Sequence, residues 1–589
     1  MRARRIAAGL VLAAATLAVG SLAAPAASAV TTTVSAAATA PAVAGTARAG
    51  SAGAADSAGA ASRTTAGTAI PAGTASTAGL TGTAAGAGHG LIVRTDRGLL
   101  EGKYAEGSAQ FLGVPYAAPP VGALRWQAPR PAPRWRGIRP ATSYGGRCAQ
   151  LASGNGPRVD NENCLFLNVY TPPGAQAHRS RGGGQGLPVL VMIHGGGLTT
   201  GAGDQHDGSL IVTTDHIIVV SINYRLGPFG FLTVPGLATG ASTASGNFGL
   251  LDQEAALRWV RDNIAAFGGD PAKVTIDGES AGGWSVCALL TSPPARGLFR
   301  GAIMQSGSCA SGSRADARTA GLAFAKQAGC PDAATAAACL RGLPEAKLLD
   351  ASASYQPEFT YGGPELPVAD AAAVAAGKYD RVPLLIGTNH DEGRTFSQGL
   401  AGLSEAQADQ LISSDYGSRA AAILARYPWS SYPSPYTAAY LVGDIWTDSG
   451  FITGIGGCPE QNLAAQFSST TRTYMYQFDD LHAPGLNNDD PGYQWGAGHA
   501  MELAYLWPSF NNGYSLYDLL TPAQLELSRQ MVRYWGAFVS TGAPEVAGQP
   551  AWPRYASHQL MSLRPGDQSA AITAATFGAE HQCSFWDAG

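Results

Sequence analysis

From about Leu91 onward, apolar and β-branched runs alternate with stretches of helical spacing. Val189 to Ile193, Ile217 to Ile222, Val274 to Ile276, Ala302 to Met304, Leu384 to Ile386 and Thr473 to Phe478 read as strands. Near-continuous apolar runs are what strands covered on both faces require, so the pattern predicts a mostly parallel sheet with helices on both sides, an α/β fold. Leu251 to Phe267 carries Leu257, Val260, Ile264 and Phe267 at helical spacing. A later helix is well punctuated: Thr521 can cap it, Pro522 suits its first turn and Gly542 can end it. No internal repeat is evident, and one large domain over residues 91–589 fits the pattern better than several.

The first 90 residues follow other rules. Arg2, Arg4 and Arg5 precede an apolar stretch from Ile6 to Leu22, and Ala27-Ser28-Ala29 matches a small-residue cleavage site. Residues 1–29 therefore read as a secretory signal peptide, with a membrane anchor or a twin-arginine export signal as the alternatives. Residues 30–90 are nearly all Ala, Thr, Gly, Ser and Pro and contain no Phe, Tyr or Trp. Such a segment buries too little apolar surface to offset its ordering entropy and reads as a disordered linker, with a cell-surface tether as the functional alternative.

Composition narrows the function classes. The chain is 45% hydrophobic and carries a net charge of −4, which gives no basis for a nucleic-acid partner. After the leader no segment reaches the ~18 apolar residues of a transmembrane span. The eight cysteines of an exported chain suggest disulfides, and the absence of CxxC, HExxH or clustered His/Cys spacing argues against a metal.

Two motifs carry chemistry. Gly278-Glu279-Ser280-Ala281-Gly282 is a GxSxG sequence between the strand Val274 to Ile276 and a helical stretch, Ala281 to Leu290. That strand–turn–helix setting is the one a nucleophile elbow needs. His194-Gly195-Gly196-Gly197 follows the strand ending at Ile193. Its glycines let backbone N–H groups approach a developing oxyanion, so Gly196 and Gly197, with Ala281, form the expected oxyanion hole.

With these motifs the chain resembles the type-B carboxylesterase family, which includes cholinesterases and some fungal lipases. The resemblance covers roughly Leu91 to the C-terminus. It extends over Phe111 to Ala117, Glu162 to Tyr170 (with Asn163 where the family usually has Asp), Asn247 to Gln253 and Phe267 to Pro271. It implies an α/β-hydrolase fold and a catalytic triad. The block Gly387 to Gly393 resembles the one that carries the catalytic acid, which places it at Glu392, although Asp391 is an adjacent carboxylate. The block Gly496 to Leu503 resembles the one that carries the histidine, which places it at His499; His482, His558 and His581 read as structural or solvated. The chain order Ser280, Glu392, His499 is that of an α/β-hydrolase.

The resemblance also implies disulfides Cys148–Cys164, Cys330–Cys339 and Cys458–Cys583. Cys287 and Cys309 remain, either as buried thiols, the favoured reading, or as a pair. Ala149 to Asn163 lacks the tryptophan that binds choline in cholinesterases, and the segment after Gln305-Ser306-Gly307 lacks their acyl-pocket tryptophan. Leu198 and Trp284 are candidates to line the pocket, and Glu279 and Ser306 to support the triad from behind. The expected activity is serine-dependent hydrolysis of small or short-acyl carboxylic esters, secreted and without cofactor or metal. A long-chain lipase and a non-catalytic adhesion protein of the same fold are the alternatives; oligomeric state is undetermined.

Overall fold

The computed structural model describes residues 91–175, 186–237, 246–487, 490–510 and 515–588. The signal-peptide and linker expectations, residues 1–29 and 30–90, lie outside the described residues.

One sheet organises the fold. Its strands in chain order are β1 (Lys103–Ala105), β2 (Ser108–Pro115), β3 (Phe166–Thr171), β4 (Leu187–Ile193), β5 (Ile218–Ile222), β6 (Gly269–Glu279), β7 (Gly301–Gln305), β8 (Leu384–Asn389), β9 (Thr473–Phe478), β10 (Gln559–Leu563) and β11 (Ala570–Thr573). Their spatial order is β11-β10-β9-β8-β7-β6-β4-β5-β3-β2-β1. All neighbours from β10 to β5 pair in parallel, and the pairs beyond them at both edges are antiparallel.

The central strands are buried along almost their whole length, as their unbroken apolar runs require. Alternate side chains feed two cores. On one face Val191, Ile193, Ile276, Met304 and Ile386 pack together; on the other Leu190, Met192, Ile303, Leu385 and Tyr476 do so.

The helices that matter for the site are α1 (Phe248–Asn263), α2 (Ala281–Thr291), α3 (Glu392–Ser397), α4 (Thr437–Ser449), α5 (Gly457–Ser468), α6 (Leu503–Leu506) and α7 (Pro522–Thr541). The predicted Leu251–Phe267 helix starts three residues earlier and ends in a 3₁₀ turn, Ile264–Phe267. Helix α7 begins as expected, with Thr521 accepting the Gln524 N–H and Pro522 in the first turn. It closes on Gly542 in the left-handed region at φ 75°. β6 is longer than Val274–Ile276 at both ends. Its first residue pairs with Leu187, and its last leads directly into the turn at Ser280.

All three implied disulfides are present. The favoured reading of Cys287 and Cys309 as thiols is corrected: they form a fourth bond. Helix α2 runs back along β7, bringing Cys287 to a Cα–Cα distance of 5.4 Å from Cys309 just past the strand end, within the span a disulfide bridges.

Candidate active site

The sharp turn between β6 and α2 puts Ser280 at φ 57°, ψ −122°, outside the regions a serine ordinarily occupies. Such strain persists only where the surroundings enforce it. Here β6 enters from below, α2 leaves above, and the flanking glycines let them meet. A Cβ on Gly282 would sit 2.1 Å from the Ile193 carbonyl oxygen, and one on Gly278 would sit 2.4 Å from the Gly282 carbonyl. The Ser280 N–H is held by the Gln305 carbonyl at 3.0 Å, and its own carbonyl receives the Trp284 N–H at 2.9 Å.

The glycine loop follows β4 at the same end of the sheet. Gly196 and Gly197 both have positive φ. The Gly196 carbonyl turns inward to accept the N–H groups of Thr199 and Thr200. Among the described hydrogen bonds none engages the N–H of Gly196 or Gly197. Ala281 is the first residue of α2, so its N–H is one of the helix-start donors without an intrahelical acceptor. His194, in contrast, is a framework residue. It stacks on Tyr224, its Nδ1 lies 2.9 Å from the Gly195 carbonyl, and burial lowers its pKa to about 4.

Glu392 opens α3 just beyond β8, and His499 lies in the loop that runs from β9 to α6. Glu392 Oε2 is 2.6 Å from His499 Nδ1. Its Oε1 accepts the Thr388 hydroxyl at 2.9 Å and the Asn389 N–H at 2.7 Å, and the Ser306 side chain faces the same carboxylate. Burial alone would raise the Glu392 pKa. The imidazole and these donors outweigh it, so the carboxyl is held below its ordinary range. The adjacent Asp391 is engaged elsewhere, accepting the Ala497 N–H at 2.9 Å and pairing with Arg394 at 3.1 Å.

On the other side of the imidazole, Glu279 Oε1 lies 3.1 Å from Nε2, at an angle unsuited to a hydrogen bond. Burial disfavours the imidazolium, yet Glu279, Glu392 and Glu502 together push the His499 pKa above its ordinary value. Glu279 and Glu502 are themselves raised, burial being the largest cause in both; at Glu279 the His499 charge opposes the rise and Glu502 and Glu392 add to it, and at Glu502 Glu392 adds to it against Asn389 and His499.

Several groups around this center carry no obvious mark in sequence. Asn389 donates to Glu502 Oε2 at 2.6 Å and to the Gly498 carbonyl at 2.7 Å, and Thr395 donates to the His499 carbonyl at 3.1 Å. The Phe396 ring packs on the imidazole with centroids 4.9 Å apart. Glu502, three residues after His499, was available as a signal only through that spacing. Of the two pocket candidates, Leu198 is wholly buried in the core and Trp284 is half-buried against it. His482 and His558 are exposed, and His581 is buried against Asp448, so the other three histidines are not drawn into this arrangement.

A strained serine at a strand–helix elbow, free loop amides and a carboxylate-bound imidazole on a largely parallel sheet define the α/β-hydrolase class. The profile of the Carboxylesterase family matches residues 89–586, and the chain belongs to that family, whose activity is carboxylic ester hydrolysis. It is 35% identical over 525 residues to "Liver carboxylesterase 1" of Oryctolagus cuniculus, covering 79% of this chain and 88% of that protein. It is 33% identical over 485 residues to "Para-nitrobenzyl esterase" of Bacillus subtilis, covering 79% and 92% respectively. Among solved structures a PNB esterase superimposes with a TM-score of 0.66 at 32% identity, over 83% of this chain and 99% of that one.

Proposed function

We propose that this carboxylic ester hydrolase works through Ser280, His499 and Glu392 by way of an acyl-enzyme. The observation that carries the reading is the 2.6 Å Glu392–His499 contact at the same sheet end as the strained Ser280. Ser280 Oγ attacks the ester carbonyl while its proton passes to His499 Nε2. Glu392 fixes the tautomer through Nδ1 and stabilises the imidazolium. The N–H groups of Gly196, Gly197 and Ala281 receive the oxyanion, each worth roughly 10²–10³ in rate. His499 then returns the proton to the leaving alcohol. Water, deprotonated in the same way, attacks the acyl-enzyme and releases the acid.

We read the preferred substrates as small or short-acyl esters. A lipase acting at an interface needs an apolar lid, and the loop closed by Cys148–Cys164 has the opposite character. Asn155 Nδ2 donates to Thr200 Oγ1 at 2.9 Å, Gln150 Oε1 receives the Gly201 N–H at 3.0 Å, and Arg158 pairs with Asp160 and Asp350. The first two ties fasten the loop to the segment just after the glycine loop, and the Arg158 pairs hold its other side. Secretion is supported by four disulfides, which persist in oxidising compartments. No described helix is long and apolar enough to cross a membrane.

The test is release of p-nitrophenol from acetate, butyrate and palmitate esters by the full chain and by Ser280→Ala. Abolished turnover in the variant, with wild-type rates falling from butyrate to palmitate, is the expected result. Full activity in Ser280→Ala would remove the nucleophile assignment, and a palmitate preference would remove the short-acyl one.

A further inference from the structure

Asp277 stands three residues before Ser280 on β6 and is wholly buried. A carboxyl in the middle of a sheet covered on both faces is expensive to charge and is tolerated only with partners. Its Oδ1 accepts a 2.9 Å bond from Gln305 Nε2 on β7, and its Oδ2 makes no hydrogen bond of good geometry among the described residues. Gln305 is also the residue whose carbonyl holds the Ser280 N–H. One residue thus has its side chain on Asp277 and its backbone on the elbow.

The strand register continues the link sideways. Glu279, Gln305, Gly387 and Tyr476 occupy one row across β6, β7, β8 and β9. The Tyr476 ring lies over Gly387, where a Cβ would come within 2.2 Å of it. Among the described residues Gln305 Oε1, Tyr476 OH and Glu502 Oε1 are buried without hydrogen-bond partners, as is Asp277 Oδ2. Buried polar atoms are nearly always satisfied, so several unpaired ones beneath a single site mark a polar layer of low dielectric, in which a change of charge at one carboxyl is felt by its neighbours.

We propose that Asp277 is a positioning residue for the ester hydrolysis: it clamps the elbow through Gln305 and passes its own change of charge to the Glu279–His499 pair. The proposal rests on Ser280 and His499 acting as described above. Burial raises the Asp277 pKa to about 7, with Gln305 and the Gly278 N–H opposing and Glu279 reinforcing the rise. The titratable groups that face it are Glu279 on its own strand and Tyr476 on β9. Met192 is its register neighbour on β4, Ile303 its neighbour on β7, and α7 brings Trp535 against Tyr476. As a carboxylate, Asp277 accepts the Gln305 N–H more strongly. It also adds a negative charge beside Glu279, which favours keeping a proton on the Glu279–His499 pair.

The experiment is the pH profile of kcat/KM for p-nitrophenyl butyrate with wild type, Asp277→Asn and Asp277→Leu, beside Ser280→Ala. Asn keeps the shape and loses the charge. Its plateau should stay within about threefold of wild type while the acid limb moves down by up to about one pH unit. Leu also loses the clamp, and its plateau kcat should fall roughly tenfold. A merely structural role would lower Tm in both variants and leave the profile in place. An Asp277→Asn profile superimposed on wild type overturns the proposal even if Leu fails to fold. If Ser280→Ala is inactive in that same experiment, the nucleophile reading survives the failure.

Discussion

Two buried imidazoles in this molecule sit on carboxylates in nearly the same way. His499 Nδ1 lies 2.6 Å from Glu392, and His581 Nδ1 lies 2.8 Å from Asp448. What differs is the far nitrogen. In His581 it faces Gln477 Oε1 at 3.3 Å, and Asp448 also receives the Tyr427 hydroxyl, so the imidazole is enclosed by fixed partners. In His499 it makes the off-axis contact with Glu279, beside the elbow, and among the described residues no hydrogen bond holds it. A buried His–carboxylate pair is therefore no sign of catalysis by itself. The sign is a pair with one nitrogen left for chemistry.

The sharpest way to break that comparison is to exchange the two histidines' fates. On the mechanism proposed above, His499→Gln should keep the fold and lower kcat by roughly 10⁴–10⁶, since groups acting as one catalytic unit fail together. His581→Gln should do the reverse: kcat/KM within about threefold, and a stability loss of about 1–3 kcal/mol from the buried partners it strands. Denaturant unfolding alongside p-nitrophenyl butyrate turnover reads both. A His581→Gln enzyme that is stable but inactive would mean that the C-terminal segment contributes to the reaction, and the comparison would collapse.

How far the sequence could draw this distinction depends on what a residue's neighbours are in the chain. The strand Thr473 to Phe478 was legible to its ends because its side chains are buried on both faces. The sharp turn at Ser280 and the bent loop at Gly196 and Gly197 were legible because both conformations demand glycines at fixed local offsets. His499 could be picked from the other histidines only through the family block, because its partner Glu392 is 107 residues away. The Cys287–Cys309 bond was missed for a similar reason: pairing is decided by how α2 lies on β7, not by spacing. Asp277 was invisible as a functional group because a strand's alternation shows which face a residue takes, not whether Gln305 will meet it there. Asp391 against Glu392 was ambiguous until the turn into α3 aimed one carboxylate at the imidazole and the other at Arg394.

A third imidazole gives the smallest and most discriminating effect. His390, two residues before Glu392, has Nδ1 2.8 Å from Asp479 Oδ1, while Gln477 and Arg564 bind the same carboxylate. Burial lowers the His390 pKa, but Asp479, Asp391 and Glu580 outweigh it and push it up to about 9. Burial would raise Asp479, but His390, Ser562 and Gln477 outweigh it and hold it down to about 2. The signs define a window. The raised His390 contributes stability in full below its ordinary value of 6.5 and loses it as pH rises through about 9. The depressed Asp479 contributes in full above its ordinary value of 3.8 and loses it as pH falls through about 2. The stability difference between wild type and His390→Gln should therefore be greatest between these ordinary values and shrink toward alkaline pH, as measured by urea unfolding at a series of pH values. The kcat/KM profile of His390→Gln should superimpose on wild type, because this imidazole ties the acid loop to β9 and β10 without touching the reacting atoms. A shifted rate profile with unchanged stability would place His390 on the functional side of the comparison instead.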